Sequence, residues 1–161
     1  MFATRLDLLA RGSANRIAQL AVPTDMQMQP LDAVRAVLQG TDVASYPADQ
    51  RPALAGALDK VDKALADADA LIFSYGIPAD VLTSLLARLA STVALFYLAG
   101  NKATKEETEA YQAALATLKA HARGEINLIP AAPDAPALES DLAIITSNPS
   151  RYGRSAPLED A

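Results

Sequence analysis

Apolar residues recur through the middle of this chain at alternating spacings of four and three, the period of an amphipathic helix. From Gln50 to Tyr75 the repeat is Leu54, Leu58, Val61, Leu65, Ala68, Ile72 and Tyr75, which predicts one long helix with a single apolar stripe. Asp59, Lys60, Asp62, Lys63, Asp67 and Asp69 fall between those positions and are assigned to the opposite, solvated face. Gly76-Ile77-Pro78 ends this helix, because glycine accepts a left-handed cap and proline forbids continuation. A further helix is expected over about Ala79 to Ala99, with Leu82, Leu85, Leu86, Leu89, Val93, Phe96 and Tyr97 and with Arg88 as its only basic residue. So broad an apolar arc needs cover on more than one side, so this helix is placed at the centre of the fold. Gly100-Asn101 is a stop signal, and Thr104 with Glu107 forms a capping box that opens a last helix. That helix carries Tyr111, Ala114, Leu115, Leu118 and Ala122 inward and ends at Gly124. The connections at 76–79 and 100–104 are short, which sets the three helices antiparallel.

Upstream the pattern is weaker. Thr4 and Asp7 resemble a capping box, Leu6, Leu8 and Leu9 follow, and Gly12 reads as a stop; a second short helix is expected from Ala14 to Ala21. Between Val22 and Asp49 the chain is punctuated by Pro23, Thr24-Asp25, Pro30, Gly40 and Tyr46-Pro47, with one brief helical candidate over Leu31 to Gln39 using Val34, Val37 and Leu38. This stretch reads as a partly ordered excursion whose Met26, Met28 and Tyr46 suit an adaptable contact surface better than a core element.

After Gly124 the helical pattern stops. Five of the ten prolines fall there, at 130, 133, 136, 149 and 157, around two short apolar bursts, Ile126 to Ile129 and Leu142 to Thr146. Proline cannot donate to a ladder or sit within a helix, so the segment is expected to be extended. Two bursts cannot bury enough surface to offset ordering costs of roughly 1 to 2 kcal/mol per residue, so the arm needs something to lie on, its own body or another subunit. The expected fold is therefore all-α: an antiparallel bundle of about four helices (residues 1–124, with the excursion at 22–49) followed by an extended, partly β C-terminal arm (125–161).

Charge sharpens that division. The chain has 14 basic and 19 acidic residues; the arm holds 2 of the former and 6 of the latter, so most of the excess negative charge lies in it. A net charge of −5 argues against a broad phosphate-gripping face. At 161 residues one domain with one core is expected. Cysteine is absent, which removes disulfides and thiolate chemistry and fits a reducing compartment. Asp7 interrupts the position where a signal peptide would run apolar, and no stretch approaches the length of a membrane span, so a soluble protein of the cytoplasm is expected.

Catalytic chemistry finds little footing. The single histidine, His121, sits in the last turn of a helix, where a cation is mildly favourable. The carboxylates Asp59, Asp62, Asp67, Asp69, Glu106, Glu107 and Glu109 lack the Glu-x-x-His pairing of di-metal bundles and read as solvated faces. There is no glycine-rich phosphate loop and no nucleophile elbow. No enzyme activity, cofactor or metal is expected. Tyr75, Phe96, Tyr97 and Tyr111 lie on or beside inward stripes and read as core. Asn148-Pro149-Ser150-Arg151-Tyr152-Gly153-Arg154 stands apart, since it sets an aromatic between two arginines, a composition enriched at interfaces. Arg151, Tyr152 and Arg154 are thus candidate anchors on a partner, and Ile126, Leu128, Leu142 and Ile144 are candidates for strand pairing with a neighbouring chain; a tail docked on its own body is the other reading.

The order of these features resembles the Mu-type phage head-to-tail connector family, also described as adaptor or head-completion proteins. The resemblance is carried by the opening Met1-Phe2-Ala3-Thr4 with Asp7-Leu8, the Ala-Asp-Ala-x-Ile helix end within Ala66 to Ile72, and the Tyr75-Gly76-Ile77-Pro78 reversal. It continues through Arg88-Leu89-Ala90, Tyr97-Leu98 with Ala103-Thr104, the Leu118-Lys119 to Gly124 exit and the closing Pro149-Ser150-Arg151-Tyr152. The excursion at 22–49 is longer than the resemblance leads one to expect. What the resemblance implies is a homo-oligomeric, dodecameric ring in the virion neck, assembled in the host cytoplasm. The ring would sit beneath the portal protein, bind the next neck or tail-completion protein, and pass DNA through its channel without sequence-specific contact or any membrane. The competing reading, from a different class, is a small helical regulatory module that binds its target through the C-terminal arm.

Overall fold

The computed structural model describes residues 1–130 apart from residue 24. Within them lie six α-helices: α1 (Arg5–Arg11), α2 (Ala14–Ala21), α3 (Leu31–Leu38), α4 (Arg51–Ser74), α5 (Ser84–Ala99) and α6 (Lys105–Ala122), with 3-10 turns at Val43–Ser45 and Gly100–Lys102. No strand occurs among the described residues. The described part is therefore all-α, with three short helices preceding three long ones.

Local chemistry accounts for most of the boundaries. Both expected capping boxes are present: the Thr4 hydroxyl accepts from Asp7 N and the Thr104 hydroxyl from Glu107 N, while each carboxylate answers the cap's own N–H. Gly76 ends the α4 turn at φ 82°, a conformation that an L side chain adopts at a cost. The start of α5 differs from expectation. Residues 79–83 are not helical; Val81 N closes a turn onto Pro78 O, and extended Thr83 accepts from Leu86 N as the N-cap. A threonine cap outcompetes the apolar pattern there, and Leu82 is left 67% exposed.

α5 is the central helix: it packs against α4, α6, α1 and α2. Its Leu86, Ala90, Val93 and Ala94 are fully buried. Phe96 of α5 stacks on Tyr111 of α6, whereas Leu85 and Arg88 share a groove with Thr117, so these two helices run in opposite directions. The α4 stripe is buried at Leu54, Val61, Leu65, Ala68 and Ile72, with Leu58 and Tyr75 packed at its edges. α6 is the least covered long helix, with only Ala114 and Leu118 buried.

Two expectations require correction. The excursion from 22 to 49 contributes α3 to the core: Ala33, Val34, Val37 and Leu38 are buried, and α3 packs on α2, α4 and α1. Its i, i+3, i+4 spacing was sufficient for burial, and the surrounding prolines and glycine merely set its ends. Asp69, assigned to the solvated face of α4, is buried instead, because the N-terminal residues fold over it. Close packing also explains Gly56 within α4: a Cβ there would lie 3.0 Å from Pro23 Cγ, so the glycine lets the 22–23 segment press onto the helix.

Candidate partner-binding surfaces

The N-terminal residues build one face. Phe2 N donates to Asp69 Oδ1 at 2.9 Å and its ring lies 5.0 Å from Phe73, which pins Met1 to Ala3 along α4. Arg5 then makes a two-pronged contact with Asp62, Nε to Oδ1 at 2.7 Å and Nη2 to Oδ2 at 2.6 Å. That hydrogen-bonded pairing holds the guanidinium pKa above its ordinary value. Fastened in this way, α1 and α4 present Met1, Leu6 and Phe73 outward; Leu6 is 57% and Phe73 42% exposed. Ala70 and Ala66, exposed one and two turns before Phe73, extend the same apolar strip.

A second face lies between α5 and α6. Leu89 and Ala114 floor a groove, exposed Leu85, Ala110 and Ala113 widen it, and Arg11 and Arg88 border it. Toward the other end of the helix pair, Phe96 and Tyr111 stack with centroids 4.0 Å apart and planes 4° from parallel, and Tyr97 lies tilted 5.9 Å from Tyr111. Burial first, and then the hydrogen bond to Tyr111, push the Tyr97 phenol up to about 12. These rings, expected in the core, are half-buried, so one edge of the cluster reaches the surface.

Ion pairs lock the ends of the helices rather than converge on a pocket. Arg16 Nε and Nη2 reach both oxygens of Glu107 at 3.0 and 2.9 Å, and Nη2 also donates to Lys102 O at 2.7 Å, tying α2 to the turn before α6. Arg16 is the main reason that the Glu107 carboxyl titrates below the ordinary range. The Thr4 hydroxyl, and then its N–H, do the same for Asp7. Asp59 pairs with Lys63 at 2.7 Å, and Glu109 with Lys105 at 3.7 Å. Among the described residues no three His, Asp or Glu side chains gather as metal ligands.

The chain leaves the body beside His121. Gly124 turns at φ 73°, after which His121 Nδ1 lies 3.3 Å from Ile126 O and 3.4 Å from Leu128 N. The ring can donate to the carbonyl or accept from the N–H, according to which form it holds. Of the candidate interface residues, Ile126 is exposed, whereas Leu128 is only 7% exposed and belongs to the subunit's own core. The burst from Ile126 to Ile129, expected to pair with a neighbouring chain, forms no strand with the described residues of its own chain, and Ile129 N caps onto the Asn127 side chain at 2.9 Å. A single leucine at the right distance from α6 was enough to fold this part of the arm back. Leu142, Ile144, Arg151, Tyr152 and Arg154 lie outside the described residues. Sequence reasoning passed over Met1, Leu6 and Phe73; the available signal was that Phe73 stands one position off the buried stripe.

The described residues thus form a helical body with exposed apolar residues on two of its faces. A family model described as Bacteriophage Mu, Gp36 matches residues 2–147, and the chain belongs to that family. It is accordingly a phage protein of the structural or morphogenetic class. Neither a curated protein nor a solved structure matches it. No helix of the described residues is long and apolar enough to cross a membrane.

Proposed function

We propose that this chain is a neck protein of a tailed phage, a non-catalytic adaptor that assembles as a ring, joins the portal to the tail and lengthens the DNA channel. Membership of the Mu family carries this reading. Its physical support is the presence of two separate apolar faces, one on α1 and α4 around Met1, Leu6 and Phe73, the other on α5 and α6 around Leu85, Ala110 and Ala113. A cyclic head-to-tail contact joins two different patches of the same molecule, and repeating it closes a ring when the rotation permits. One apolar patch on a monomer would need no explanation; two on different elements suit such a contact. The chain's net charge of −5 suits a wall past which DNA slides, since each phosphate neutralised would add salt-sensitive affinity.

The test is negative-stain imaging and native mass spectrometry of the purified protein, alone at high concentration and mixed with portal. Rings, dodecameric if the Mu-type resemblance holds in full, are expected in at least one condition. Monomers alone in the presence of portal, with no added density on the portal rings, would reject the adaptor role and favour a regulatory module.

A further inference from the structure

We infer that His121 is a pH-sensitive latch that holds the root of the C-terminal arm, residues 126–130, on the helical body. The latch is independent of the adaptor reading, since every group in it belongs to the body or to that root. One ring atom, Nδ1, faces two main-chain groups of opposite kind: the Leu128 N–H at 3.4 Å and the Ile126 carbonyl at 3.3 Å. It serves one of them at a time, accepting from Leu128 when bare and donating to Ile126 when it carries a proton. Burial decides which role the neutral ring takes. Leu128 is buried and its N–H meets no other acceptor among the described residues, so leaving it open would cost a hydrogen bond. Ile126 is exposed, and water can serve its carbonyl. The neutral ring therefore keeps Nδ1 bare toward Leu128 and carries its proton on Nε2.

A second proton must go onto Nδ1, and it turns that atom from acceptor to donor. The Leu128 N–H then meets another N–H, while the Ile126 carbonyl gains a charged donor. The hold passes from the buried residue to the exposed one, and Leu128 loosens from the core. His121 stands in the last turn of α6, where the helix end favours a cation, and it forms no ion pair with a carboxylate of the described residues. Its charged neighbours along the chain are Lys119 and Arg123, the latter paired with Glu125 at 2.8 Å. α5, the helix packed against α6, contributes only Arg88, which borders the groove beside Thr117 about one turn earlier, and Asp80 lies in the turn before α5.

His121 is the only histidine in the chain, so the magnetic resonance signals of its ring nitrogens are read without overlap. The full-length, nitrogen-labelled protein is titrated from about pH 8 to about pH 5, the range in which imidazoles gain their charge. At the upper end the ring should carry a proton on Nε2 alone. Exchange protection of the Leu128 amide, taken relative to the unfolded rate at each pH, should fall roughly fivefold on acidification, the worth of one hydrogen bond. His121→Asn sets an uncharged carboxamide oxygen where Nδ1 stands and should keep Leu128 protected throughout, whereas His121→Phe should leave it poorly protected at both ends. A neutral ring protonated on Nδ1 would overturn the proposal. So would Leu128 protection that ignores pH in the parent, that falls equally in the Asn variant, or that survives in the Phe variant. These readouts need neither a ring nor a portal, so failure of the adaptor role and failure of the latch give different results.

Discussion

Phe2 donates its main-chain N–H to the Asp69 carboxylate, 67 residues away, and both partners are buried. The bond closes the start of the chain onto the middle of α4 and sets the position of Met1, Leu6 and the ring of Phe2 against Phe73. Asp69→Ala should leave that N–H unsatisfied and destabilise the fold by about 1 to 3 kcal/mol. Asp69→Asn keeps an acceptor and should cost less. Urea unfolding of the two variants beside the parent checks this; equal losses would mean that charge rather than the hydrogen bond matters there.

Acid should loosen the ends of α1 and α6. Asp7 and Glu107 both titrate below the ordinary carboxylate value of ~4, through Thr4 and Arg16 respectively. A depressed folded pKa means that the unfolded chain takes up protons first, so stability is fully present above that ordinary value and is lost as pH falls through the folded pKa. Melting temperatures measured from pH 6 to pH 2 should fall most steeply below ~4. Glu107→Gln retains the capping box but loses the pair with Arg16. It should cost about 1 kcal/mol at neutral pH, since the pair is partly exposed, and flatten the acid limb.

The long helices were legible because their patterns are redundant. In α4 five stripe positions agree on the buried face, and in α6 a capping box and a terminal glycine agree on both ends. Failures occurred where one local signal outweighed the period. Thr83 as a cap moved the start of α5, and Gly56 was unremarked because nothing in the sequence shows that Pro23 presses on it. The surfaces were harder still. Phe73 and Asp69 swap the roles that hydropathy assigns them, since the N-terminal residues cover the carboxylate and leave the far side of the ring open. Such long-range cover leaves no trace in spacing.

α3 offers a direct test of its corrected role. Val37 is 2% exposed and sits where α3 meets α2 and α4. Val37→Asp would bury an unpaired charge and should unfold or aggregate the subunit, a loss of several kcal/mol. Asp32→Ala, on the exposed side of the same helix, should change the melting temperature little. If both variants melt like the parent, α3 is an appendage after all.

Tyr97 provides a probe of the aromatic cluster. Its phenol is pushed up to about 12, chiefly by burial and then by Tyr111. Ultraviolet titration should show a tyrosine step at about pH 12. Tyr111→Phe removes the hydrogen-bonding partner but keeps the ring, so the late step should move down without reaching the ordinary value. An unchanged titration would mean that the two hydroxyls do not meet.

The exit at His121 allows the arm's part in folding to be tested apart from any part in attachment. Leu128 is part of the core, and burying a leucine is worth about 1.5 to 3 kcal/mol. Removing residues 131–161 keeps Leu128 and its N–H contact to His121, so melting should stay close to that of the full chain. Removing residues 126–161 discards both and should lower stability by that leucine's worth, with His121 left facing water. If the remote arm carries the anchors, Arg151, Tyr152 and Arg154 among them, both truncations should lose portal co-sedimentation equally despite their different stabilities. Attachment that survives the shorter truncation would place the anchor on the helical faces instead. A shorter truncation that already melts like the longer one would show that residues beyond Pro130 also stabilise the body.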